Sequence, residues 1–139
     1  MAQLRNAVVL IAGLVVAQAA VARDLAPLVN LENVAVVTGS GKAASTQAVG
    51  VAISNAAASG KRVWNVTRTA PDKLRATYNV RQHMIAVDIG YSEKAYSIRY
   101  AASENMRYGD ANGQPVIHPF YNNWVDELQR GIKAELGKL

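Results

Sequence analysis

The chain has 139 residues, half of them hydrophobic, with 15 Lys and Arg against 10 Asp and Glu and no cysteine. The missing cysteine excludes a disulfide framework, a thiolate metal site, a cysteine nucleophile and a lipobox anchor. The formal net charge of +5 is spread along the chain without a run of like charges. It weakly favours anionic partners and, with no basic block or recognised binding motif, argues against nucleic acid.

The N-terminus reads as an export signal. Arg5 supplies a positive start, Ala7 to Val16 an apolar stretch, and Ala20-Val21-Ala22 the small-x-small pattern of a signal-peptidase site. Cleavage is expected after Ala22, releasing a periplasmic chain that begins at Arg23. An apolar run of about ten residues is too short for a stable membrane span, which needs about 20. Every later apolar run is soon broken by charge, so no transmembrane segment is expected after cleavage. The remaining 117 residues carry 14 Lys and Arg against 10 Asp and Glu, a net +4, and suffice for one domain.

Residues 23–45 read as a lead-in segment. It holds Pro27, a possible edge strand at Asn33 to Val37, and a flexible loop "TGSGKAAS". The single α+β domain is expected over 46–139. Val49, Ala52, Ile53 and Ala56 follow helical spacing between Thr46 and Ser59. Ser45 or Thr46 can cap that helix, and Gly60 can end it in the left-handed conformation. Gly50 weakens its propensity, so packing must hold it.

Four strand-like segments follow: "RVWNVTRT", "LRATYNV", "HMIAVDIGY" and "YSIRYAAS". In the last three the apolar residues recur with period two, and Pro71 and Asp72 suit a turn after the first. This is the pattern of an antiparallel four-stranded meander covered on one face. The stretch "ENMRYGDANGQP" reads as a loop. In the last helix Ile117, Tyr121, Trp124, Val125, Leu128, Ile132 and Leu136 form one apolar stripe. The expected architecture has two helices packed on one face of the meander, in the order β-α-β-β-β-β-α.

His118 precedes Pro119, which suits the first turn of a helix because its missing N–H would have no intrahelical partner. His118 is therefore expected at or near the N-cap, neutral and accepting a hydrogen bond. Tyr121 and Trp124 fall on the buried stripe. His83, the other histidine, opens a strand across a loop-rich stretch. Neither histidine has a second ligand at i+2, i+3 or i+4 that would support zinc.

Several motifs fail on inspection. The phosphate-loop pattern needs Gly at Val36 and Ser or Thr at Ala43, so only Gly41 and Lys42 match. "DANG" imitates a calcium loop, but Tyr121 stands where a bidentate Glu belongs, and a Gly-containing turn accounts for it. No G-x-S-x-G elbow, H-E-x-x-H pair or suggestive carboxylate pair is present.

The series Trp64, "LRAT", "HMIAVDIGYSEKAYSIRYAASENMRY" and "IHPFYNNWVDELQRGI" resembles a family of small exported proteins and lipoproteins of proteobacteria. The likeness covers about Thr46 to Leu136 and is most specific at "YSIRYAASENMRY" and "IHPFYNNWV". It implies an exported compartment and this domain extent, and it transfers no catalytic residue. Members often carry a lipobox cysteine, which this chain lacks.

The leading expectation is a non-catalytic envelope domain that binds a protein or an anionic envelope component. Alternation places Arg75, Arg81 and Arg99 together on the uncovered side of the sheet, with His118 as a further candidate. No cofactor and no metal site is expected. One alternative is a small enzyme using His118 with Tyr108 or Glu104. Another is a subunit of an envelope assembly, joined through an edge strand or the margins of the last helix.

Overall fold

The computed structural model describes residues 25–139. The expected export signal at residues 1–22 lies outside them. The fold is α+β, with two helices and two antiparallel sheets. No helix among the described residues is long and apolar enough to cross a membrane.

The expected meander is present as β3 (Asn65–Ala70), β4 (Lys73–Val80), β5 (His83–Tyr91) and β6 (Ala95–Glu104), each antiparallel to the next. The sheet has five strands instead of four. With β1 taken as Ala26–Pro27, β2 (Leu31–Ala35) returns to pair with β6, which gives the order β2-β6-β5-β4-β3. This edge strand starts two residues before the expected one. Its register shifts between Leu31 and Val34, where Asn33 adopts φ 50°. Asparagine tolerates that left-handed conformation better than most residues, which suits a bulge.

The stretch read as a loop after β6 holds a second sheet. β7 (Gly109–Ala111) and β8 (Gln114–Ile117) form a hairpin, and β1 pairs with the other side of β8. Asn112 and Gly113, at φ 55° and 81°, make the two-residue turn. Positive φ at both turn positions matches the right-handed twist of the strands, which is why Asn-Gly favours hairpins. Asp110 Oδ1 accepts from the Gly113 N–H at 2.8 Å. Ile117 therefore ends a strand instead of joining the last helix, although it is fully buried as its hydrophobicity requires.

Helix α1 (Thr46–Ser59) begins as expected, with Ser45 Oγ accepting from the Ala48 N–H at 3.1 Å. Its end differs. Gly60 is extended, not left-handed, and the chain turns back so that the Trp64 N–H reaches the Ala57 carbonyl at 2.8 Å. Gly50 is explained by packing: a Cβ there would lie 2.6 to 2.9 Å from the ring and hydroxyl of buried Tyr91.

Helix α2 (Phe120–Leu136) buries Tyr121, Trp124, Val125, Leu128, Ile132 and Leu136. These side chains share one core with Val49, Ala52 and Ile53 of α1 and with Leu74, Tyr78, Ile85, Val87, Ile89 and Ile98 of the sheet. Both helices thus cover the same sheet face. The lead-in is tied to α2 by Asn122, whose Oδ1 accepts from the Val29 N–H at 3.1 Å and whose Nδ2 donates to the Pro27 carbonyl at 2.8 Å.

The glycine-containing stretch after β2 has internal structure. Gly41 N–H donates to the Thr38 carbonyl, Lys42 N–H to Ser40 Oγ and Ser40 N–H to the Leu139 carbonyl. The amides that a phosphate loop would turn on a ligand are used within the chain.

Candidate functional site

The uncovered sheet face carries two of the three candidate arginines, each paired with a carboxylate. Arg75 Nε and its terminal nitrogen meet the two oxygens of Asp88 at 2.8 and 2.9 Å. Arg99 does the same to Glu32 at 2.8 and 2.7 Å. Register places Asp88 opposite both Arg75 and Arg99, so Glu32, Arg99, Asp88 and Arg75 form a row of alternating sign across four strands. Each pair is a two-pronged charge-assisted contact. Hydrogen bonding to Arg75 and Arg99 holds the Asp88 and Glu32 carboxyls below their ordinary pKa. This face is close to charge-balanced and offers an anion little that is not already matched.

Arg81 does not join that row. β4 ends at Val80, so Arg81 lies in the two-residue turn to β5, at φ 54°. Alternation ceases to hold where pairing stops. The turn carries Arg81 to the start of α2, where it lines a cleft of about 200 Å³ with Val80, His83, Met106, His118, Phe120 and Trp124. Arg81 makes no salt bridge among the described residues.

Each wall of this cleft has a local cause. Pro119, expected inside the first turn, is the N-cap, with helical φ and ψ and no side-chain cap of its own, and His118 stands one residue before it, near the N-cap as expected. His118 Nδ1 accepts from the Phe120 N–H at 3.2 Å, and its carbonyl accepts from the Tyr121 N–H at 3.0 Å. The expectation of an imidazole accepting at the helix start is met. His83 stands at the first position of β5, and its Nδ1 lies 2.8 Å from the Asn105 carbonyl. The structure thus brings together the two histidines that the sequence places 35 residues apart.

The floor is apolar. Met106 and Trp124 are buried, while Phe120 is 54% exposed. Phe120 lies between His118 and Trp124, with ring centroids 4.6 and 5.7 Å away. Trp124 is held by an edge contact to Tyr78 at 5.2 Å and by Arg62, which also reaches Glu127 Oε2 at 2.8 Å and the Tyr78 hydroxyl at 3.0 Å. The wall is accordingly set by the core below it.

Backbone strain collects at this place. Of the five non-glycine residues at positive φ, Arg81 lines the cleft and Asn105 and Arg107, both at 54°, flank its Met106. The segment is latched on both sides, by Asn105 Nδ2 to the Gln82 carbonyl at 2.6 Å and by the His118 N–H to the Met106 carbonyl at 2.8 Å. Such conformations cost about 1–3 kcal/mol each and gather at functional sites, where the surroundings hold them. Asn105 is of a residue type that tolerates positive φ, but nothing in the sequence announces Arg81 and Arg107, because arginine has no such preference.

The other residues paired with His118 in the enzyme reading do not line this cleft. Tyr108 stacks on Tyr100 at 4.3 Å, and Glu104 is exposed at the end of β6 opposite Met84. Among the described residues no three His, Asp or Glu side chains converge as a metal site would require. No family model, no curated protein and no solved structure matches the chain.

Proposed function

We propose that the chain is an exported, periplasmic domain of the cell envelope that binds an anionic envelope component, with its binding centre at the Arg81, His83 and His118 cleft. The observation that carries this reading is the contrast among the arginines. Arg75 and Arg99 are each matched by a carboxylate, whereas Arg81 stands on a strained turn beside an exposed aromatic ring without a partner among the described residues. Support for export comes from the signal pattern and from the resemblance to small exported proteobacterial proteins.

A cation unpaired among the described residues and lining an apolar hollow attracts an anion and lets part of it leave water. The test is an amide-resolved NMR titration against separated lipopolysaccharide, peptidoglycan fragments, anionic lipid and periplasmic protein. Shifts are expected at Arg81, His83, His118 and Phe120. Shifts confined to the Arg75 and Arg99 row, or none from any fraction, would defeat the assignment. Export is checked by sequencing the N-terminus of the protein recovered from the periplasm, which should begin at Arg23.

A further inference from the structure

We infer that this cleft recognises an acidic sugar, a single sugar ring bearing a carboxylate or phosphate; the inference rests on the binding role proposed above. A hydrogen bond to the backbone fixes each imidazole. A backbone carbonyl only accepts, so His83 Nδ1, 2.8 Å from the Asn105 carbonyl, carries a hydrogen. Its Nε2 keeps the lone pair in the neutral ring. A backbone amide only donates, so His118 Nδ1, accepting from the Phe120 N–H, is unprotonated. Its hydrogen sits on Nε2.

The two histidines therefore offer opposite polarity: His83 an acceptor and His118 a donor. A metal clamped between both Nε2 atoms would need His118 to give up the Phe120 amide. A simple anion suits Arg81 and His118 but brings no donor for the Nε2 lone pair of neutral His83. What satisfies all three is an oxyanion with a hydroxyl nearby. The oxyanion takes the Arg81 guanidinium and the His118 N–H, and the hydroxyl donates to His83.

The remaining wall supplies the third criterion. Phe120, exposed beside buried Trp124, supplies aromatic surface, and the electron-rich face of such a ring favours the C–H-bearing side of a saturated ring. The cleft volume of about 200 Å³ is on the scale of one sugar ring. A ring with hydroxyls and one anionic group combines these features.

The test uses 15N-labelled protein with glucuronate, glucose, acetate, inorganic phosphate and phosphatidylglycerol vesicles as separate probes. Glucuronate should shift the Arg81, His118 and Phe120 amides and the Nε2 resonances of both histidines. Glucose and acetate should bind at least about tenfold more weakly, and Arg81→Gln should weaken glucuronate by about tenfold or more. Imidazole spectra of the free protein should show a Nδ1–H form for His83 and a Nε2–H form for His118.

Equal shifts from acetate or phosphate would overturn the sugar assignment while leaving an anion site at the cleft. Vesicles that shift the cleft when glucuronate does not would replace the sugar by a lipid headgroup. The same tautomer at both histidines would remove the basis of the inference. If no probe moves the cleft and the envelope fractions act elsewhere, the inference and the binding role both fall.

Discussion

The open face of the sheet and the cleft at the start of α2 carry the same kind of residue in two electrostatic conditions. On the sheet, strand register sets each arginine against a carboxylate, and Glu32, Arg99, Asp88 and Arg75 neutralise one another. At the cleft, Arg81 is lifted off the sheet by a turn, and its neighbours are imidazoles and aromatic rings. An arginine count alone would weigh the three alike. The environment decides which of them is available to a partner.

Both regions rest on one core, so the largest effect should come from beneath them. Gly50→Ala would raise helix propensity, but the new methyl meets buried Tyr91, and crowding of this kind costs about 1–3 kcal/mol. Chemical denaturation should show lower stability, against the direction propensity predicts. A stabilised variant would mean that Tyr91 can move aside.

Arg81→Gly separates the regions more sharply. Removing the side chain at φ 54° should relieve strain and raise stability by about 1 kcal/mol, while binding at the cleft falls about tenfold or more. Melting curves and the NMR titration read the two effects independently. Stability unchanged or lowered would show that Arg81 makes structural contacts beyond the turn.

Smaller effects are expected on the sheet. Arg75→Ala and Arg99→Ala remove exposed, solvent-screened ion pairs and should each lower stability only slightly, with cleft binding unchanged. Loss of binding in either variant would erase the distinction between the two regions.

The smallest effect is a pH dependence. Asp88 and Glu32 have lowered pKa values in the fold, chiefly through their hydrogen bonds to Arg75 and Arg99. Their contribution is present above the ordinary carboxylate pKa and is lost as pH falls through the lowered one. Asp88→Asn and Glu32→Gln should flatten the loss of stability on acidification, as followed by denaturation at stepped pH. Arg81→Gly should leave that slope as it is.

Much of the meander was legible because period-two alternation reflects a sheet with one face covered, and Leu74, Ile85, Val87, Ile89 and Ile98 obey it. The last helix was legible for the same reason at helical spacing. The return of β2 to β6 was less so, since pairing across some 60 residues leaves no local periodic mark. The Asn112-Gly113 hairpin had a local signal, read only as a turn. The charge row joins residues far apart in sequence. His118 was legible as a residue near the helix N-cap, yet its meeting with His83 and Arg81 depends on where β4 stops and on a strained segment around Met106. Those are tertiary facts without a residue pattern of their own.

The Asn122 clasp on Pro27 and Val29 has a kinetic meaning. It closes separations of 95 and 93 residues, while the β3 to β6 hairpins join near neighbours. Closing a long loop costs entropy before its contacts form, so hairpins should assemble early and the clasp late. The clasp belongs to the helix that begins just after His118, which also places one wall of the cleft. The cleft would then be completed at the last step of folding, and protection of the Val29 amide against hydrogen exchange would report when it is whole.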